Sequence, residues 1–102
     1  MSVSLDKELK NLTKSGKYYL GVKKTIKSIL RGEAKMVIIA DNMPLVYRSK
    51  IEKNAKLSNI PLYVFKGTSM ELGSLLGKPF KVSSISIIDT GESRILDLAG
   101  TS

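Results

Sequence analysis

Residues 17–31 have the sequence KYYLGVKKTIKSILR, and the rest of the chain is organised around this stretch. Its apolar run Tyr18–Leu20 predicts a short strand, and Gly21 predicts the turn from that strand into a helix. The apolar residues after the glycine have the spacing of a single helical face: they are Val22, Ile26, Ile29 and Leu30. A strand followed at once by a helix indicates the α/β class, in which such units alternate.

The first turn of this helix carries two cations, Lys23 and Lys24. The helix dipole disfavours a cation there by a few tenths to about 1 kcal/mol. The same turn offers unpaired backbone N–H groups, and together with the lysines these form a binding site for an anion. The arrangement is therefore unfavourable for the protein alone and favourable once a phosphate is bound. The alternative is that both lysines are simply solvated.

The composition limits the possible functions. A chain of 102 residues with 42% hydrophobic content suits one domain, residues 1–102, with a single core. Cysteine and histidine are absent, which removes thiol nucleophiles, imidazole bases and the usual ligands of zinc, copper and haem. The acidic residues are scattered, so we expect neither an enzyme nor a cofactor. Because cysteine is absent, we expect no disulfide framework and an intracellular protein. No apolar run is long enough to span a bilayer, and we see no N-terminal secretory signal.

The charge is concentrated in the first half of the chain. Residues 1–53 hold twelve Lys and Arg against five Asp and Glu, whereas residues 54–102 hold five against four. A basic half joined to a nearly neutral half indicates one positive face, which is typical of polyanion binding. The alternative is a lysine-rich surface that only keeps the protein soluble.

The hydrophobic pattern predicts alternating helices and strands. The predicted helices are 5–13, 22–31, one from Pro44 to about residue 58, and 69–76; the predicted strands are 18–20, 36–40, 60–65 and 83–88. This order predicts an α/β fold with a sheet of about four strands and helices on both faces. Ser4 is expected to cap the first helix, and a last helical turn is expected over residues 95–98.

Two helices carry more specific expectations. The third helix is predicted to direct four apolar residues inward: Leu45, Ile51, Ala55 and Leu57. Gly73 lies inside the fourth helix, where it costs about 1 kcal/mol relative to alanine. We interpret that glycine as a site of close packing against the sheet.

Three loops are expected to lie together, because ligands of alternating α/β folds bind where loops converge at one end of the sheet. They are residues 21–25, 41–44 and 77–82. The first supplies N–H groups and two lysines, and the second supplies the amide of Asn42. In the third, Phe80 lies close to Lys78 and Lys81, and an aromatic ring so placed can stack on an unpaired base. The three loops together predict a protein that recognises structured RNA. The alternatives are that Asn42 only shapes a turn and that Phe80 enters the core.

Four segments resemble the archaeal and eukaryotic large-subunit ribosomal protein 30e family, which belongs to a wider group of kink-turn RNA-binding proteins. They are residues 21–29 (GVKKTIKSI), 35–44 (KMVIIADNMP), 67–79 (GTSMELGSLLGKP) and 88–93 (IDTGES). The resemblance spans nearly the whole chain and implies a three-layer α/β/α sandwich around a mixed sheet of about four strands. It also implies a non-catalytic component of the large ribosomal subunit in the cytoplasm. The implied partners are kink-turn ribosomal RNA and other ribosomal proteins, with a monomer when free.

The resemblance also implies which residues bind RNA. Positions that match the family's RNA contacts are Gly21, Lys23, Asn42, Arg48, Phe80 and Val82, and their neighbours Val22, Lys24, Thr25 and Lys81 complete the expected site. The chain departs from the family at Lys53-Asn54, where relatives often have two tyrosines. Two other functions stay open at this point. One is a small α/β protein-interaction adaptor of the same fold group, and the other is an enzyme that uses the lysines to hold phosphorylated substrates.

Overall fold

Four helices and four strands alternate along the chain in the computed structural model, which describes residues 5–91 and 93–96. They are α1 (Leu5–Ser15), β1 (Lys17–Leu20), α2 (Val22–Leu30), β2 (Met36–Ala40), α3 (Leu45–Leu57), β3 (Leu62–Phe65), α4 (Ser69–Leu75) and β4 (Ser84–Asp89). All eight predicted elements are present, and their ends lie within two residues of the predicted ones. The cap expected at Ser4 and the second half of the turn expected at 95–98 lie outside the described residues.

The strands form one mixed sheet in the order β1-β4-β2-β3. Strand β4 is antiparallel to both of its neighbours, β1 and β2, whereas β2 and β3 run parallel. The carboxyl ends of β1, β2 and β3 and the start of β4 therefore lie at one edge of the sheet. The loops that follow Leu20, Ala40 and Phe65 leave from that edge, and the loop before Ser84 returns to it.

Two apolar clusters lie on opposite faces of the sheet, and β2 is buried at every position between them. Its side chains alternate, as the pleat of a strand requires: Ile38 packs with α1 and α4, whereas Val37 and Ile39 pack with α2 and α3. Helices on both faces of a four-stranded mixed sheet make three layers. The predicted α/β/α sandwich is confirmed.

A polar contact joins α2 to β4. Thr25 and Ser28 are buried on α2, and their hydroxyls pair with those of Ser84 and Ser86. Thr25 donates to the Gly21 carbonyl at 2.7 Å, and Ser28 donates to the Thr25 carbonyl at 2.7 Å. Because a hydroxyl has one proton, the serines of β4 are the donors in the two hydroxyl pairs. This arrangement allows polar residues to lie in the middle of the fold without unpaired groups.

The same contact corrects the predicted apolar face of α2. Leu30 was expected on that face, but 68% of it is exposed. The helix turns Thr25 and Ser28 toward the sheet because β4 alternates serine and isoleucine and directs its serines to α2. Leu30 consequently lies on the outer side of the helix.

The prediction for α3 is half wrong. Ile51 and Ala55 are buried as expected, whereas Leu45 and Leu57 are 75% and 72% exposed. At 100° per residue, the two leucines lie about 100° or more around the helix from the stripe formed by Ile51 and Ala55. They occupy the two ends of α3.

Hydrogen bonds to the buried carboxylate of Glu8 connect residues 93–96 to α1. The backbone N–H of Arg94 donates to Glu8 Oε1 at 2.6 Å, and the Ser93 hydroxyl lies 2.9 Å from the Glu8 carbonyl oxygen and 3.2 Å from Oε1. These contacts hold Ile95 in the core. The hydrogen bond from Arg94 lowers the pKa of Glu8 below its ordinary value, against the opposing effect of burial.

We expect this carboxylate to make stability depend on pH. Because the pKa of Glu8 is lower in the folded state, its contribution is complete above pH ~4.5 and is lost as the pH falls through the folded pKa. Glu8→Gln keeps an acceptor but replaces a charge-assisted hydrogen bond by a neutral one, which costs about 1 kcal/mol at pH 7. Urea unfolding at pH 7 and pH 3 measures both effects. The exposed change Asp6→Asn is the control, and an equal loss at both pH values in Glu8→Gln would contradict the assignment.

Candidate nucleic-acid interface

The three loops expected to converge do meet at one edge of the sheet. The N–H of Ala40, at the end of β2, donates to the carbonyl of Ser83 at 2.9 Å. The N–H of Gly21, at the end of β1, donates to the carbonyl of Ser84 at 3.1 Å. The loops that begin at Gly21 and Asp41 are thus each tied to the chain that follows Phe80. The predicted convergence is confirmed.

Gly21 has a backbone conformation that only glycine adopts readily. Its φ of 101° and ψ of 157° lie in a region that is essentially restricted to glycine. The residue is the N-cap of α2 but has no side chain to accept from the first-turn N–H groups, so these groups are left to water or a ligand. A Cβ atom at this position would meet nothing within 4 Å. The space beside Gly21 is therefore open to a molecule that approaches the backbone.

Two clefts adjoin this glycine, one on each side. Leu20, Gly21 and Val22 line both of them. The first, of about 230 Å³, is bounded by the loop that carries Phe80 and Lys81. The second, of about 480 Å³, is bounded by Lys23, Lys24 and Tyr47. The structure thus brings Gly21, Val22, both lysines, Phe80 and Lys81 to one surface.

Phe80 projects from this surface and does not enter the core, since 51% of the residue is exposed. Its loop is held against α4 by two backbone hydrogen bonds, Lys78 N–H to the Gly73 carbonyl at 2.9 Å and Val82 N–H to the Ser69 carbonyl at 3.0 Å. A Cβ at Gly73 would lie 2.1 Å from the carbonyl oxygen of Phe80. Gly73 therefore packs against the Phe80 loop, and the interpretation that it packs against the sheet is wrong.

Two expected contact residues are largely buried. Val82 is 2% exposed because its side chain packs in the cluster between the sheet, α1 and α4. Thr25 is fully buried and hydrogen-bonded to Gly21 and Ser84. The side chain of Thr25 therefore has no exposed surface, and its hydroxyl holds the carbonyl of Gly21. Val82, although largely buried, still lines the cleft that Phe80 borders.

Asn42 is exposed on a different part of the same edge. Its Oδ1 accepts a hydrogen bond from the N–H of Ser69, the first residue of α4, at 2.8 Å. Because the oxygen is used in this way, the NH₂ group faces outward as a donor. Asn42 lies in a third cleft, of about 530 Å³, together with Lys66, and it does not line the clefts beside Gly21. Asn42 therefore shapes the turn through its oxygen, and its NH₂ group remains as a donor for a ligand.

Arg48 lies on α3, and its guanidinium is held by two carboxylates. Its Nε is 2.6 Å from Glu52 Oε1, and a terminal nitrogen is 3.6 Å from Asp41 Oδ1. The hydrogen bond to Glu52 and the two negative charges raise its pKa further. Arg48 does not line the cleft beside Gly21, whereas the neighbouring residue Tyr47, which was not predicted as a site residue, does. Tyr47 precedes Ile51 by four residues, so the sequence pattern places it with the buried face and nothing marks it as a surface residue.

The comparison with protein families assigns the chain to a group. Residues 4–97 match the family described as "Ribosomal protein L7Ae/L30e/S12e/Gadd45 family". The chain belongs to this family. The resemblance identified in the sequence is thereby confirmed for nearly the whole chain.

Relatives within the L7Ae/L30e/S12e/Gadd45 family are similar over almost their full length. The large ribosomal subunit protein eL30 of Saccharolobus solfataricus is 50% identical over 96 residues, which cover 94% of this chain and 89% of the relative. The protein of the same name from Methanothermobacter thermautotrophicus is 43% identical and covers 96% of this chain and 100% of its own. A eukaryotic relative, eL30 of Candida albicans, is 46% identical and covers 91% and 88%.

A solved structure supports the fold independently. A protein of unknown function from Bacillus halodurans superposes with a TM-score of 0.82 and covers 99% of this chain and 100% of its own. Its sequence identity of 21% makes this a similarity of fold alone. In the part of this L7Ae/L30e/S12e/Gadd45 family member that the structure describes, no group of three acidic side chains is arranged to hold a metal. None of its described helices is long and apolar enough to cross a membrane.

Proposed function

We propose that the protein is a non-catalytic component of the large ribosomal subunit in the cytoplasm, where it binds kink-turn ribosomal RNA and contacts other ribosomal proteins. The observation that carries this proposal is the open glycine at the start of α2. Gly21 lies between a cleft with an exposed aromatic ring and a cleft with two lysines. The names of the relatives, all large ribosomal subunit proteins, support the assignment to that subunit.

The proposed contact begins with the RNA backbone. The absence of a side chain at Gly21 allows a phosphate to approach the first turn of α2, where N–H groups and Lys23 supply the positive end. The dipole penalty on Lys23 and Lys24 is offset when an anion binds between them and the helix. These contacts fix the position of the RNA but distinguish no sequence.

Selectivity for a kink comes from Phe80. In a straight RNA duplex the bases are stacked and paired, so the ring has no free base to contact. A kinked RNA leaves bases unpaired, and the half-exposed ring of Phe80, whose loop is hydrogen-bonded to α4, can stack on one of them. The outward NH₂ group of Asn42 adds a donor for a base edge or a phosphate farther along the same edge of the sheet.

A protein-binding adaptor is the second candidate. The observation in its favour is the exposed start of α3, where Leu45 and Val46 project into solvent. Exposed apolar side chains on one helix turn are typical of a protein contact. The same apolar surface could contact a neighbouring ribosomal protein, so it is compatible with RNA binding at Gly21.

Binding to a kink-turn RNA and to a straight duplex of equal length tests the proposal. We expect the kinked RNA to bind more tightly, with an affinity that falls steeply as salt increases. Phe80→Ala is expected to weaken kinked-RNA binding about 10–100-fold, the loss of one stacked base, and to leave duplex binding unchanged. Lys23→Ala is expected to lower the salt slope by about 0.7–0.9, the value for one phosphate contact. Gel shifts across a salt series measure all three.

The controls use residues on other surfaces. Met70 is 51% exposed, as Phe80 is, but lies in a cleft on α4 with Asp6 and Glu71. Met70→Ala therefore removes a similar exposed apolar side chain without touching the site. Lys10→Ala on α1 removes one charge from the opposite layer. Equal binding of both RNAs by the unaltered protein would refute kink recognition and leave a basic protein of no RNA preference.

A further inference from the structure

A second basic surface lies along α2, beside the one already described. A cleft of about 230 Å³ is lined by Tyr19 of β1, by Lys24 and Lys27 of α2, and by Arg31 at the C-cap of α2. These four residues are called the α2 flank. The cations are spaced three and four residues apart, so they follow one side of the helix over about 10 Å. Lys24 lines this cleft and also the cleft beside Gly21. The two surfaces are therefore continuous.

The α2 flank is not neutralised by the protein itself. Of the four described helices, α2 alone has no acidic residue. Residues 9–40 contain eight Lys and Arg and a single acid, Glu33. Glu33 borders the cleft, but no ion pair joins it to the flank cations in the part of the chain that the structure describes. Arg48 of α3, by contrast, is held by two carboxylates.

Helix stability alone does not explain the row. Lys27 and Arg31 lie near the carboxyl end of α2, where cations interact favourably with the dipole. Lys24 lies in the first turn, where the interaction is unfavourable, and like charges three and four residues apart repel one another. The cations extend from the C-terminal end of α2 to its N-terminal end, where a positive charge is unfavourable. A long anion that contacts several of these cations explains this arrangement.

We propose that the α2 flank is a second RNA-binding surface, which holds the phosphate backbone of the paired segment leading away from the kink. The inference rests on the proposed function, because Lys24 joins this surface to the site at Gly21. A polyanion with closely spaced charges matches the row of cations. Tyr19 supplies a flat, partly buried ring against which a sugar or a terminal base can pack. The alternative ligand of the α2 flank is an acidic protein segment, and the experiment below distinguishes it from RNA.

The test compares a minimal kink-turn RNA with RNAs in which one stem or the other is extended by a helical turn. In the unaltered protein, one of the two extensions is expected to strengthen binding about tenfold at low salt. The double variant Lys27→Gln/Arg31→Gln is expected to lose that gain and to lower the salt slope for the extended RNA by about 1.4–1.8, the value for two phosphate contacts. Its affinity for the minimal RNA is expected to stay the same. Thermal unfolding of the variants verifies that they fold.

The matched control is Lys10→Gln/Lys14→Gln, which removes two charges with the same spacing of four residues from α1, in the opposite layer. If this control lost as much affinity for the extended RNA as Lys27→Gln/Arg31→Gln, only the net charge of the protein would matter, and the proposal would be overturned. Extensions that add no affinity would also overturn it and leave the α2 flank to an acidic protein. A protein that shows no preference for the minimal kinked RNA over a duplex would instead refute the proposed function itself.

Discussion

Gly21→Ala is expected to destabilise the protein by about 1–3 kcal/mol, the cost of placing a side chain in a backbone region that only glycine occupies readily. The strain has no easy release, because the N–H of Gly21 is bonded to Ser84 and its carbonyl accepts from Thr25. We also expect at least a tenfold loss of affinity for kinked RNA. The new Cβ enters the open space through which the proposed phosphate reaches the first turn of α2. Urea unfolding and gel shifts measure the two effects separately.

Gly32→Ala is the matched control for this change. Gly32 also has a positive φ, 72°, and its Cβ would also meet nothing within 4 Å, but it lies at the other end of α2. It should therefore cost stability without changing the affinity for the minimal kinked RNA. If both variants weakened RNA binding in proportion to their loss of stability, the special role of Gly21 would be refuted.

Gly73→Ala is expected to lower stability and RNA affinity together, although alanine is the better helix former by about 1 kcal/mol. The Cβ would lie 2.1 Å from the carbonyl oxygen of Phe80, so the loop has to move. Overpacking costs about 1–3 kcal/mol. Because the clash is with a backbone atom, we expect the upper part of this range, which outweighs the gain in helix propensity. The displaced loop no longer holds Phe80 at its present place, and we expect a loss of kinked-RNA affinity of about tenfold or more.

Ser74→Ala provides the comparison, since Ser74 is the next residue of α4 and is exposed. This change gains a smaller amount of helix propensity, because serine is a better helix former than glycine, and it causes no clash. It should therefore be neutral or slightly stabilising and should leave RNA binding unchanged. A Gly73→Ala protein more stable than the unaltered one would show that the loop adapts freely. Measurement of urea unfolding at pH 7 and of gel shifts with the same kinked RNA decides between these results.

Much of the architecture could be predicted because it depends on local patterns. The continuous apolar run at 36–40 indicated a strand covered on both faces, and every residue of β2 is buried. Strands that alternate with helices have few arrangements that cover both faces of a sheet. The convergence of loops at one edge followed from the same regularity, and it placed Gly21 and Phe80 together before any contact was known.

The errors about helix faces share one cause, which is that apolar residues at helical spacing do not establish which side of the helix is buried. Leu30, Leu45 and Leu57 were assigned to inward faces on that basis, yet burial is decided by the angle between each residue and the structure that the helix packs against. Thr25 and Ser28 take buried positions on α2 because Ser84 and Ser86, almost 60 residues later, offer hydroxyl partners. No local pattern contains that information.

The sequence by itself determined the α/β class, the order of the elements, the basic first half and the family to which the chain belongs. These depend on periodicity, composition and motifs, all of which are properties of neighbouring residues. The tertiary structure alone decided that Phe80 is exposed while Val82 is buried, that Gly73 makes room for the Phe80 carbonyl, and that Lys24 joins two basic surfaces. Each of these depends on distances between segments far apart in the chain, which are set only when the helices pack against the sheet.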